Sequence, residues 1–186
     1  MQQNKFEIGI HGSHITSFTQ GKLQAEIQKV AIPVRGNRFH YLRFEPKTTP
    51  QLLEEANVTY DTTLGFPEYF GFRHGTCFPF QLFNYKTRRA FGFWEVPLQL
   101  MDATLHHPQY LQLSAAEILP AIMPMLQEIK RFGGCFTWLW HNENFSPHNL
   151  NNGPVAFHQI MQYLQKEEAS FKTLSQVVQL LKPASG

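Results

Sequence analysis

Aspartate is scarce in this chain: Asp61 and Asp102 are its only two. They are not adjacent, so chemistry that needs a neighbouring aspartate pair finds no candidate. Cysteine is as sparse, with Cys77 and Cys135 far apart and outside any CxxC spacing. That excludes a disulfide framework and a zinc knuckle and predicts two free, mostly buried thiols. Charged residues make up only 16%, the net charge is +2, and no run of lysine or arginine forms a stripe suited to phosphate backbones. Nucleic acid is therefore not an expected partner. No apolar run reaches the roughly eighteen residues of a membrane span, and the opening MQQNKFEIGIH holds no apolar stretch of signal-peptide length. The expectation is a cytoplasmic protein that does not engage a membrane.

What is present is an ordinary globular composition. The 186 residues are 42% hydrophobic, enough for one domain with a proper core. Seventeen phenylalanines, within 14% aromatics, fill a core or line a groove that stacks on flat or ring-shaped ligands.

Short apolar runs alternate with longer amphipathic ones, the pattern of βα units around a largely parallel sheet. Phe6 to Ile10 reads as a buried strand, followed by a polar turn and a helix from Thr19 to Val30 with Leu23, Ile27 and Val30 on one face. Phe39 to Phe44 reads as a second strand, Thr49 to Ala56 as a short helix opened by Thr49 and Pro50, and Val58 to Tyr60 as the start of a third strand. From Asp61 to Arg89 the chain is loop-like, with extended pieces around Phe78 to Phe83, and loops of that length are usually functional. Val96 to Met101 reads as a strand ending at Asp102. Ser114 and Glu117 form a capping box for a helix running to Phe132, stopped by Gly133, with Pro120 and Pro124 inside it and a kink expected at Pro124. Cys135 to Trp140 reads as a strand ending at His141, Asn144 to Gly153 as a turn-rich loop, and Pro154 to Glu168 and Thr173 to Leu181 as closing helices.

Polar residues just past the carboxyl ends of parallel strands converge on one rim, where ligands bind. The strand ends offer His11 with Ser13 and His14, Arg43 with Glu45, Asp102, and His141 with Asn142. Histidines, an arginine and an aspartate on one rim can hold a metal, orient a base and supply an acid, which describes a hydrolase-like site. Each also has a plainer role: His11 capping backbone groups, Arg43 pairing with Glu45, Asp102 capping the following turn, the tryptophans packing in a core.

Five blocks, EIGIHGSH, FHYLRFEPKTTPQLLEEANVTYDTTLGF, GFRHGTCFPF, VPLQLMDATL and GGCFTWLWHN, occur in the order seen in NodB-like polysaccharide deacetylases. The chain resembles that family from about Glu7 onward, and is most similar to a bacterial branch with a YDSTLG-like block before a GFR-GT-C block. The resemblance implies an α/β fold, an incomplete (β/α)7 barrel over residues 1–186 lacking its N-terminal strand or strands. It also implies a hydrolase acting on the amide C–N bond of N-acetylated sugars, with zinc or another divalent metal that activates water. By match, His11 and His14 are metal ligands, with His14 one residue short of the usual spacing. Arg43 orients the catalytic aspartate, His141 is the general acid, and Asp102 tunes that histidine. Arg73, His74 and Trp140 are expected to touch the carbohydrate. The family's catalytic and metal-binding aspartates belong to a block upstream of His11 and are missing here. The alternatives are therefore a fragment of a longer product, a non-catalytic glycan-binding relative, or a truncated pseudoenzyme. An open sheet edge would offer a route to homo-oligomers.

Overall fold

The computed structural model describes residues 6–146, 148 and 153–181. Their contacts separate into two compact units, one drawn from the described residues of 1–64, 78–97 and 172–186, the other from those of 65–77 and 98–171. No described helix is long and apolar enough to cross a membrane.

The first unit is built on four parallel strands, β1 (Ile10–Gly12), β2 (Gly36–Phe39), β3 (Tyr60–Asp61) and β6 (Trp94–Glu95), in the order β1-β2-β3-β6. Helices α1 (Lys22–Gln28) and α2 (Thr49–Glu55) connect the first three, and a hairpin of β4 (Phe83–Asn84) and β5 (Arg89–Ala90) precedes β6. Leu23, Phe39, Leu53, Val58, Phe91 and Phe93 form its core. Helix α6 (Leu174–Leu181) belongs to this unit. Its capping box is present, Thr173 N–H donating to Gln176 Oε1 at 2.8 Å and Gln176 N–H to Thr173 Oγ1 at 3.3 Å. The Glu7 carboxylate also accepts the Ser175 amide at 3.0 Å and the Ser175 hydroxyl, placing a negative charge at the positive end of the helix.

The second unit pairs β7 (Leu100–Met101) in parallel with β8 (Trp138–Leu139). Gln99 and Thr137 extend that pairing, through the Gln99 amide on the Thr137 carbonyl and the Thr137 amide on Gln99 Oε1. Helices α3 (Asp102–His106), α4 (Ala115–Phe132) and α5 (Gly153–Lys166) complete it. Helix α4 starts and stops where its signals place it, with the Ser114–Glu117 capping box formed and Gly133 left-handed at φ 64°. It runs on through Pro120 and Pro124 and buries Ile118, Ile122, Leu126 and Ile129.

Several strand boundaries differ from those expected. Residues 6–9 are not strand, and β1 starts at Ile10. The strand expected over Phe39 to Phe44 ends at Phe39, because Tyr41 and Leu42 turn into the left-handed region at φ 58° and 51°. The apolar run expected as one strand from Val96 to Met101 is divided: β6 lies just before it in the first unit, and only Leu100–Met101 is strand in the second. β8 covers two residues of the six expected. Within the turn-rich loop expected over Asn144 to Gly153, positions 147 and 149–152 lie outside the described residues. None of the three sheets closes into a barrel among the described residues.

One close approach fixes the β2–β3 register. Gly36 is the lateral partner of Tyr60, and a Cβ added at Gly36 would sit 2.0 Å from Tyr60 Cζ. Tyr60 is 4% exposed, and its hydroxyl donates to Glu7, so the ring has little room to give. Gly36→Ala should cost about 1–3 kcal/mol, the usual range for overpacking a tight site, read as a lowered urea midpoint with an unchanged slope.

Candidate functional site

The carboxyl end of the first unit's sheet carries a buried polar row. Parallel register sets Asn37 beside Asp61 and Asp61 beside Glu95. All three are essentially excluded from solvent, at 2%, 0% and 0% exposure. Asp61 Oδ1 accepts from Asn37 Nδ2 at 2.6 Å and Thr63 Oγ1 at 2.9 Å, and Oδ2 accepts from the Thr63 amide at 3.1 Å. Glu95 Oε1 accepts only the Leu64 amide, at 2.9 Å, and Oε2 finds no partner among the described residues. Burial and the Asp61 charge push the Glu95 carboxyl well above the usual range, and burial also raises Asp61 despite its donors. Glu95 is thus the group that keeps its proton, beside the Asp61 carboxylate. Arg38, half-buried and lowered to about 10 by desolvation, supplies the nearest positive charge. Its guanidinium is held by the Thr62 carbonyl at 3.0 Å and the Thr62 hydroxyl at 3.2 Å.

The histidines of the first unit pair differently from expectation. His11 Nδ1 donates to the Arg38 carbonyl at 2.8 Å, which leaves Nε2 to accept from His40 Nδ1 at 3.0 Å. His14 instead accepts from Arg43, with Arg43 NH1 2.8 Å from its Nε2. The partner of His11 is therefore His40, a residue the sequence pattern did not single out. It becomes visible only because the strand ends at Phe39 and the next residues turn back. Arg43 bonds His14 rather than Glu45, and its guanidinium lies 4.6 Å over the Phe18 ring.

In the second unit Asp102 and His141 come together as the sequence suggests. Asp102 is fully buried, and Oδ1 accepts His141 Nδ1 at 2.6 Å and the Ala103 amide at 2.8 Å. Oδ2 accepts the His141 amide at 2.6 Å and the Asn144 side chain. Burial alone would raise this carboxyl, but the donors from His141 and Asn144 outweigh it and hold Asp102 below its ordinary value. The His141 side chain is 42% exposed. Its tautomer follows from geometry, since a carboxylate at Nδ1 requires a proton there, which makes Nε2 the unprotonated nitrogen of the neutral ring. Asn144 completes the cradle and was also not singled out from the sequence.

Trp140 lies edge-on to Phe157, 5.5 Å between centroids, in a cluster with Trp138 and Phe145, and its indole N–H is buried without a partner among the described residues. Arg73 donates to the Gly65 carbonyl at 2.9 Å, and it and His74 are exposed on the loop that leads to Cys77. Of the expected site residues, His11, His14 and Arg43 belong to the first unit, and Arg73, His74, Asp102, Trp140 and His141 to the second.

A resident metal is a poor match to these residues. The described residues hold no group of three or more His, Cys, Asp or Glu in metal-binding geometry. His11 faces His40, and the Nε2 lone pair of His14 is occupied by a guanidinium hydrogen. Neither histidine is arranged with the other as a ligand pair. No known protein family and no curated protein matches the chain.

Two consequences of the buried carboxylates can be measured. Because the folded state holds a proton on the Asp61–Glu95 pair that the unfolded chain releases near pH 4, this pair favours folding most below that pH. Its contribution fades as pH rises toward the raised folded value. Wild type should lose unfolding free energy as pH rises above the unfolded carboxylate range, with a flatter profile in Glu95→Gln, by urea titration at each pH. Asp102 has the opposite sign, stabilising above the unfolded carboxylate range and losing effect as pH falls through its lowered folded value. Asp102→Ala strands several donors and should cost roughly 3 kcal/mol at pH 7, read from the same titrations.

Proposed function

We propose that the chain is a hydrolase of the NodB-like polysaccharide deacetylase type, acting on the amide C–N bond of N-acetylated sugars. The observation that carries the reading is the Asp102–His141 pair, a buried carboxylate holding a half-exposed imidazole by Nδ1 at 2.6 Å. In amide hydrolysis water adds to the acetyl carbonyl, the C–N bond breaks, and the departing nitrogen takes a proton, giving acetate and a free amine. His141 Nε2 is the proton donor in this proposal, and Asp102 is its positioning residue, stabilising the imidazolium that carries the proton. The parallel order β1-β2-β3-β6 is consistent with part of a (β/α)7 barrel, which belongs to the same proposal. So does a divalent metal, zinc first, for which the described residues supply no complete ligand set.

A second reading, a glycan-binding relative without turnover, is favoured by one observation. The only aspartate besides Asp102 is Asp61, which is 0% exposed and tied to Asn37 and Thr63. It cannot meet a substrate water.

The test is deacetylation of a chito-oligosaccharide, followed by acetate release, with metal content measured on the same sample. Turnover that falls about 10²-fold or more in His141→Ala, the scale of one lost general acid, supports the hydrolase. Binding of the oligosaccharide with no acetate released and no effect of His141→Ala selects the binding protein.

A further inference from the structure

At the carboxyl ends of β1 and β2 the first unit exposes a patch of rings around one arginine. Arg43 is clamped from two sides, by its hydrogen bond to His14 Nε2 at 2.8 Å and by the Phe18 face at 4.6 Å. A guanidinium only donates, so His14 accepts as a neutral ring and leaves the arginine charge uncompensated. Arg43 makes no ion pair among the described residues. Glu26, the carboxylate of the neighbouring helix α1, is spent on the Ser13 amide and hydroxyl and on Thr16. An exposed arginine is usually just solvated, but this one is held in a fixed orientation, with His14 its one hydrogen-bond partner among the described residues.

Beside it stands Tyr41, 75% exposed, with ring centroids 4.2 Å from His40 and 5.9 Å from His14. Its backbone is left-handed at φ 58°, and so is that of Leu42 at 51°. For residues with a side chain that conformation is sterically disfavoured. Leu42 at least buries its side chain, at 6% exposure, whereas Tyr41 holds an aromatic ring in water. Strain that presents an apolar ring to solvent beside an uncompensated, immobilised guanidinium is the arrangement expected of a ligand site. The two halves ask for different chemistry in one molecule: a planar oxyanion for the arginine fork and a ring with a C–H face for the tyrosine.

We propose that His14, Phe18, His40, Tyr41 and Arg43 form a subsite for a carboxylate-bearing sugar ring, a uronosyl residue. Arg43 grips the carboxylate, the Nδ1–H of His14 and the outer nitrogen of His40 meet hydroxyls, and Tyr41 lies against the ring. This rests on the glycan-directed reading above and narrows it to acidic glycans, but it does not depend on turnover.

The test follows the histidine ring signals by NMR while the chain is titrated with sodium glucuronate, with glucose and with inorganic phosphate. Glucuronate should shift the His14 and His40 signals saturably, at least tenfold more tightly than glucose or phosphate. Arg43→Gln should weaken glucuronate at least tenfold, and Arg43→Lys, which keeps charge but loses the fork, should fall between. Tyr41→Gly suits the left-handed backbone, so it should fold at least as well as wild type and still bind glucuronate several-fold less tightly. Phosphate equal to or tighter than glucuronate, an equal response to glucose, or no shift in these two rings would each overturn the proposal. A chain that binds glucuronate and releases no acetate from either a chito-oligosaccharide or an N-acetylated, uronate-containing oligosaccharide refutes the hydrolase and leaves the subsite standing.

Discussion

Two carboxyl groups on neighbouring parallel strands, both shut off from water, cannot both ionise without a large electrostatic cost. In the first unit that constraint shapes everything around the carboxyl end of the sheet. Asp61 is given three donors and Glu95 one, so the charge settles on Asp61 and the proton on Glu95. Asn37 and Thr63 are committed to that arrangement, and the Arg38 side chain binds the Thr62 carbonyl and hydroxyl. Because Arg38 is fixed, its carbonyl is fixed, and the carbonyl in turn sets the tautomer of His11 and through it of His40. The exposed histidines thus inherit their orientation from the buried row.

Asp102 shows the same chemistry with the opposite outcome. It is as buried as Asp61, yet its neighbours are an imidazole, two amides and an asparagine rather than another acid. Every group facing it donates, so the charged form is favoured and the carboxylate can hold an imidazolium in place. The difference between the two sites is not burial but which residue the fold sets opposite each carboxyl. That is why one pair serves as internal structure while the other meets solvent through a half-exposed ring.

The parts legible in the sequence are those written locally. The capping box at Ser114 and Glu117, the stop at Gly133, the pair Thr173 and Gln176 and the Thr49–Pro50 start all act within one turn of chain, and they fall where expected. Asp102 and His141 each read as rim residues because both end a short apolar run, whereas their pairing is an expectation from the resemblance to NodB-like deacetylases. The strands were less legible, because two-residue pairings such as Tyr60–Asp61 and Trp94–Glu95 are set by neighbouring strands rather than by periodicity. Placing one strand at Val96 to Met101 hid Glu95 just outside it. With it went the row that joins Asn37, Asp61 and Glu95, whose members lie more than twenty residues apart. His40 was missed for a related reason, since a strand drawn through Phe44 puts it mid-strand instead of at a turn.

That turn ties local backbone to surface chemistry. Continuing β2 past Phe39 would have alternated His40, Tyr41 and Leu42 across the sheet and separated the rings. Two successive left-handed residues instead fold the chain back, bury Leu42 and leave Tyr41 between two imidazoles. Glycine would take up that conformation without cost, and neither position has it. A tyrosine and a leucine held there against their preference need a surrounding structure that determines them fully. Burial of Leu42, the His40–His11 bond and the rigid row beneath it supply that determination. The strain is therefore carried by the same hydrogen-bonded network that neutralises the buried acids, and changes to Asn37 or Arg38 should be felt at Tyr41 although neither touches it.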